Sequence, residues 1–292
     1  MNSQLWKSIS DFVELSKYPK LPCPFCHEVE LTIDENSVQS RALSKNYEKS
    51  APSRHFQSVK NKLSQEISEQ KNTIKEMYDE NKLLGVLLGA GLVFTRLNQP
   101  NYEFHKFIAF MSCQSCGDNV AVNGLAQIHN KTRQDQVQLV PIYKIEHFST
   151  PIPLFKIDSS VPTKIQLELL GAFSYFHIDT NSSANKLRRA IEHFCRELNG
   201  GNAKLAHQIQ KLKKTYPLEA DLLDTLRLVG NEGTHSDGVD EDDLLTAFRI
   251  FEEVLTIFKK QEILNEMKLN QKVLTDKFDK KMLTDENVVS TQ

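Results

Sequence analysis

The chain has 292 residues, 39% of them hydrophobic, which exceeds the usual span of one domain and suffices for more than one core. Thirty-six basic side chains stand against thirty-eight acidic ones, for a formal net charge of −2. That balance excludes a protein that holds polyanions through its overall charge and leaves only a local basic face for such a role.

The N-terminus, Met1-Asn2-Ser3-Gln4-Leu5-Trp6, lacks the charged start, long apolar stretch and small-residue cleavage site of a signal peptide. The thiols are therefore expected in a reducing cytoplasm, where disulfides do not persist. Leu5, Ile9, Phe12 and Val13 recur at helical spacing and predict a short helix within residues 3–16.

Four of the five cysteines form two matched pairs, Cys23-Pro24-Phe25-Cys26 and Cys113-Gln114-Ser115-Cys116. A two-residue gap lets successive thiolates turn onto one ion, and two such knuckles fill the tetrahedral shell of a structural zinc. The 86 residues from 27 to 112 separate the knuckles, far more than the usual spacing of about 15 to 20. Residues flanking each pair favour an insertion into one zinc ribbon. Val29-Glu30-Leu31-Thr32-Ile33 alternates as a strand does, Phe107 to Phe110 leads into Cys113, and Gly117-Asp118-Asn119 turns into Val120-Ala121-Val122. Gly117 is free to adopt positive φ. A catalytic zinc would leave a position open and use a His or carboxylate, so the site reads as structural rather than reactive or redox, with His27 a bystander.

Between the knuckles, residues 54–82 are charged and free of Gly and Pro, with Phe56, Val59, Leu63, Ile67, Ile74 and Met77 three or four apart. They predict one long amphipathic helix, lying on its own domain or forming half of a coiled hairpin. Leu83 to Phe94 is the most apolar run, but twelve helical residues reach about 18 Å against a hydrocarbon slab of roughly 30 Å, so it reads as core rather than a membrane span. Val137, Leu139, Val140 and Ile142 predict a last strand, after which Pro151 and Pro153 mark an extended linker and Pro162 suits the first turn of a helix.

From there the periodicity is helical throughout. Apolar stripes occupy Val161–Phe176, Asn181–Leu198, Lys204–Lys214 and Leu218–Val229. The acidic run Asp240-Glu241-Asp242-Asp243 complements the start of a final helix. Helices with one apolar stripe and short loops make an antiparallel bundle. The expected fold is thus α+β, mostly α, with a zinc-ribbon domain at 1–150 carrying a helical insertion at about 38–98. A helical bundle follows at 151–265, then a charged tail at 266–292.

Three stretches carry a resemblance: Val161-Pro162 with Ile165, Leu187-Arg188-Arg189-Ala190-Ile191-Glu192-His193, and Leu226 through Gly230-Asn231-Glu232-Gly233-Thr234-His235. In order and spacing they resemble the domain of unknown function 4145 over roughly residues 135 to 260. That family is similar to the HEPN helical domains, many of them ribonucleases of bacterial toxins, restriction systems and phage defence. The resemblance implies an Arg-polar-x-x-x-His element, with the His acting on the 2′-hydroxyl or leaving oxygen and the Arg on phosphate charge. Asn231 and His235 match the polar residue and the His, but Gly230 stands where the Arg belongs. Arg227, Arg188 and Arg189 are the arginines that could serve instead, with Glu192 beside them.

Two readings of this cluster stand. Gly230 and Gly233 would cap a helix end while Asn231 and His235 tie the loop to Arg188, Arg189 or Glu192 as a polar staple; or the group handles a nucleotide or phosphodiester. His193 and Cys195 read as packing residues, and Lys204, Lys211, Lys213 and Lys214 as a solvated basic face. Three function classes follow: a homodimeric, zinc-binding scaffold or binding module in nucleic-acid-related defence or restriction, a metal-independent endoribonuclease, and a structural module that recruits a protein through the helix at 54–82. RNA, DNA or a nucleotide is the expected ligand, and no membrane is involved.

Overall fold

The computed structural model describes residues 1–48, 68, 69, 72, 73, 75, 76, 102–129, 140–232 and 238–289. The chain is mixed α+β and divides into two units, Lys7–Thr150 and Met1–Trp6 with Pro151–Gln292.

Within the first unit, β1 (Val13–Glu14), β2 (Leu31–Ala42), β3 (Tyr102–Cys113), β4 (Asn119–His129) and β5 (Ile142–Phe148) form one antiparallel sheet of order β1-β5-β4-β3-β2. Alternation decides its buried face. Phe107, Ala109, Met111 and Cys113 of β3 are buried, while Ile108 and Phe110 between them are exposed. Phe107 meets Tyr143 of β5 edge-on, with ring centroids 5.0 Å apart.

The β2–β3 register accounts for part of the separation of the two cysteine pairs. Leu31 lies opposite Cys113 at one end of the ladder and Ala42 opposite His105 at the other, with an irregularity between Asp34 and Gln39. Each strand is 12 residues long, and the pair carries the chain away from the cysteines and back. Residues 38–42, expected inside the helical insertion, are strand instead, because their partners on β3 satisfy their backbone groups. A short helix, α2 (Lys45–Glu48), follows, and Ser68, Glu69, Asn72, Thr73, Lys75 and Glu76 are helical. The rest of the helix expected at 54–82, and the apolar run Leu83–Phe94, lie outside the described residues.

Val137 and Leu139 of the expected last strand lie outside the described residues, and among the described residues the strand is Ile142–Phe148, directly after Pro141, whose nitrogen cannot donate to a ladder. One other expectation needs correction. The first helix, α1 (Ser3–Ser8), is only 6 residues long. The Asp11 carboxylate accepts the Phe12 N–H at 2.7 Å, a local bond that competes with helix, and Val13-Glu14 then pairs with β5. The stripe of Leu5, Ile9, Phe12 and Val13 was too short to separate the two outcomes.

The second unit is helical: α3 (Thr163–Phe176), α4 (Thr180–Asn199), α5 (Leu205–Leu212), α6 (Pro217–Glu232) and α7 (Glu241–Val289). Asp179 caps α4 by accepting the Ser182 N–H at 3.0 Å, and Asp240 caps α7 by accepting the Asp243 N–H at 2.7 Å. Aromatic rings fill the core. Phe173 of α3 packs on Phe248 of α7 at 5.3 Å, and Phe194 of α4 on Phe258 of α7 at 5.3 Å. Trp6 of α1 is buried in this unit and donates its indole N–H to the Leu154 carbonyl at 3.1 Å. The residues expected as a charged tail from 266 continue α7 as far as Val289. No helix among the described residues is long and apolar enough to cross a membrane.

Candidate functional site

Each cysteine pair sits on a turn whose backbone bonds follow one scheme. In the first, Cys23 N–H donates to the Glu28 carbonyl at 2.8 Å and His27 N–H to the Cys23 carbonyl at 3.0 Å. In the second, Cys113 N–H donates to the Asp118 carbonyl at 2.9 Å and Gly117 N–H to the Cys113 carbonyl at 3.0 Å. The turns are joined to each other. Leu21 and Leu31 exchange both backbone bonds, Leu31 lies opposite Cys113, and Gln114 N–H donates to the Glu30 carbonyl at 2.9 Å. Strand pairing therefore places the knuckles side by side.

The result is a cage. All four sulfurs lie within 4.8 Å of one another, with Cys23 to Cys116 at 3.7 Å and Cys26 to Cys113 at 3.6 Å. Four thiolates held about 2.3 Å from a central ion in a tetrahedron stand roughly 3.8 Å apart, so the measured edges suit a metal. A disulfide would require about 2.05 Å. Cys23 and Cys113 are buried, Cys26 is half-buried and Cys116 is exposed. Among the described residues no histidine or carboxylate joins the cage, which matches a closed four-sulfur shell.

The thiols differ in acidity. Backbone N–H groups of Cys116 and then Ser115 draw Cys113 down to about 7, against the opposing effect of desolvation. At Cys116 the Asp118 N–H favours the thiolate, but desolvation and the thiols of Cys113, Cys26 and Cys23 outweigh it and push the group up to about 12. Cys26 is likewise raised by desolvation and the thiols of Cys113 and Cys23, against the Glu28 N–H and the Cys116 thiol, which lower it. An incoming divalent cation must therefore displace protons, and its charge then stabilises the four thiolates together.

The helical cluster is placed as follows. Arg188 of α4 donates from Nη1 to the Asn231 side-chain oxygen on α6, and its Nε lies 3.4 Å from Glu192. Arg196, one turn further along α4, lies 3.4 Å from the other Glu192 oxygen. Asn231, Arg188 and Glu192 thus come together. Arg189 does not join them: its guanidinium pairs with Glu168 of α3 at 2.7 Å, and Lys186 holds the other oxygen of that buried carboxylate at 3.2 Å. Arg227 turns to Asp224 on its own helix, at 2.8 Å. His235 lies outside the described residues.

Gly230 is not a cap. It lies inside α6, and a Cβ there would stand 2.8 Å from the Cβ of Arg188. Its missing side chain permits the close crossing of α4 and α6 that lets Arg188 reach Asn231.

The contact between Arg188 and Asn231 sits inside a region that a family model matches. Residues 171–282 match the family model of a domain of unknown function (DUF4145). The match includes Arg188, Glu192, Arg196 and Asn231, begins within α3 and runs well into the last helix. The stretch Val161 to Ile165 lies ahead of it, and the four cysteines lie outside the DUF4145 match. No curated protein and no solved structure matches the chain.

Sequence reasoning overlooked Glu168 and Arg196. The i, i+4, i+8 spacing of Arg188, Glu192 and Arg196 was the signal for Arg196, whereas Glu168 offered none, because its partners come from another helix.

Proposed function

We propose that the chain is a zinc-binding scaffold or binding protein of a bacterial nucleic-acid-related defence or restriction system, acting in the cytoplasm as a homodimer. One structural zinc per chain, held by Cys23, Cys26, Cys113 and Cys116, fixes a ribbon. A HEPN-like bundle supplies the dimer face and a polar cleft able to take RNA, DNA or a nucleotide. The observation that carries the zinc is the sulfur spacing of 3.6 to 3.7 Å, close to the edge of a zinc tetrahedron.

Cleavage at this cluster is disfavoured because the candidate arginines are engaged internally: Arg189 by Glu168, Arg227 by Asp224, and Arg188 by Asn231 and Glu192, so a nucleic-acid contact would have to use other cationic side chains. A guanidinium already facing a carboxylate has less to offer a phosphate. Salt-dependent retention on RNA or DNA, steepening with the number of phosphates contacted, is the expected result. Retention that ignores salt, or none at all, removes the nucleic-acid element.

The endoribonuclease reading keeps one observation in its favour. Arg188 meets Asn231 across α4 and α6, and Asn231 stands four residues before His235. Incubating the protein with mixed RNA in EDTA beside His235→Ala decides between the two: cleavage lost in the variant establishes the nuclease, and intact RNA at high protein concentration retires it.

A further inference from the structure

The four sulfurs of the cage are not equally sheltered. Cys23 and Cys113 are buried and Cys26 is half-buried, whereas Cys116 is exposed. Its surroundings are open as well. Residues 114–119, which carry Cys116, are exposed throughout, and a Cβ on neighbouring Gly117 would meet no atom within 4 Å. Cys116 is therefore the corner of the cage that a small molecule in solution reaches, and access is one of the two things that decide where a thiolate reacts.

A charged group stands at that corner. The Cys116 Sγ donates to the Asp118 Oδ2 at 3.5 Å. Elsewhere in the cage the neighbours are different: Cys26 faces the Cys113 sulfur at 3.6 Å, and the Cys23 Sγ accepts the backbone N–H of Phe25 at 3.4 Å. A backbone donor stabilises a thiolate that holds a cation. A carboxylate does the opposite, because four thiolates around a divalent ion already carry a net negative charge, and it also offers a released thiol an acceptor.

The first knuckle provides a comparison inside the same molecule. Cys23 N–H donates to the Glu28 carbonyl and Cys113 N–H to the Asp118 carbonyl, so Glu28 and Asp118 hold equivalent positions, each two residues after the second cysteine of its pair. At Cys26 the contact with Glu28 is through the backbone N–H, whereas at Cys116 the Asp118 carboxylate is also within reach.

We propose that Cys116 is the labile ligand of the metal site, the first to let go and the last to be recaptured, and that Asp118 is the positioning residue that sets how readily it does so. The proposal rests on the zinc reading above and adds the corner at which the site exchanges metal with small soft chelators. On release Cys116 keeps the electron pair of the bond it breaks, takes up a proton from water and donates it to Asp118.

The test uses the full chain loaded with zinc and follows release to an excess of a chromogenic chelator. Asp118→Asn removes the charge and keeps the shape. It should slow release about two- to fivefold, the range of a single exposed charge contact, with zinc content still close to one per chain. Glu28→Gln removes the same charge from the equivalent position and should leave the rate as it was. Limiting iodoacetamide followed by peptide mapping should label Cys116 ahead of every other cysteine. An Asp118→Asn protein that releases zinc at the unaltered rate or faster, an equal slowing in Glu28→Gln, or first labelling at Cys26 overturns the labile corner and leaves the metal site standing. A chain that holds no zinc overturns the metal reading itself, and the labile corner with it.

Discussion

His27 and Gly117 occupy equivalent backbone positions, four residues after the first cysteine of each knuckle, and both are left-handed, at φ +65° and +79°. Among the described residues His27 is the one non-glycine with positive φ. The histidine that read as a bystander of the metal site is thus part of the turn through its backbone. Left-handed geometry costs a residue with a Cβ about 1–2 kcal/mol, which the turn absorbs at His27 and avoids at Gly117.

That asymmetry predicts opposite outcomes. Gly117→Ala should destabilise the sheet unit by about 1 kcal/mol, through strain alone, because a Cβ there meets no atom within 4 Å. His27→Gly should be neutral or stabilising by up to about 1 kcal/mol. Urea unfolding of both metal-loaded variants checks the pair, and a His27→Gly protein that loses stability would show that the imidazole itself holds the turn.

Metal removal should act on the sheet unit. Structural zinc in small domains contributes about 10–16 kcal/mol of apparent binding energy, so stripping it should loosen both knuckles and raise their amide exchange while exchange in α3 to α6 stays as it was. Metal content should be close to one per chain and fall together in Cys23→Ser and Cys113→Ser. The pH dependence has a fixed sign. Cys113, drawn down to about 7, is protonated below that value and Cys116 and Cys26 well above it, so protons compete harder as pH falls and retention should drop steeply on acidification. A chromogenic chelator titration read against pH measures this.

Gly230→Ala sets two effects against each other. Alanine gains about 1 kcal/mol of helix propensity, but its Cβ must displace that of Arg188 from 2.8 Å, and overpacking of this kind costs about 1–3 kcal/mol. The expected net result is a loss of about 1 kcal/mol of unfolding free energy, read as a lower denaturant midpoint. The coupling between Arg188→Ala and Asn231→Ala, about 0.5 kcal/mol or more in a double-mutant cycle, should shrink in the Gly230→Ala background.

Asp158 ties the segment before α3 to the last helix. Its carboxylate accepts the Ser160 N–H at 3.0 Å and faces the Lys259 ammonium at 3.0 Å, and these contacts, with the Ser160 hydroxyl, hold its pKa down at about 2. A depressed carboxylate stabilises the fold fully above its unfolded value near 4 and loses that contribution as pH falls towards 2. Asp158→Asn should therefore lower the thermal midpoint at neutral pH, with the gap to the unaltered protein closing between about pH 4 and 2. A gap that persists at pH 2 would mean that the asparagine harms the segment by its shape.

Much of this protein follows from local pattern. The stripes from Val161 onward predicted α3 to α6 to within a few residues, and the paired Cys-x-x-Cys spacing predicted that Cys23, Cys26, Cys113 and Cys116 would meet. Periodicity of 3.6 and a two-residue gap between sulfurs are properties of neighbouring residues, so sequence alone suffices for them. The outcome differed where partners lie far along the chain. Residues 38–42 became strand because β3 pairs with them, Gly230 lies inside α6 where α4 crosses beside it, and Arg189 turned to a buried carboxylate on α3 while Arg188 found Asn231 on α6. Adjacent arginines on a helix point about 100° apart, so which one reaches a given partner depends on helix packing, and that is fixed only when the core closes.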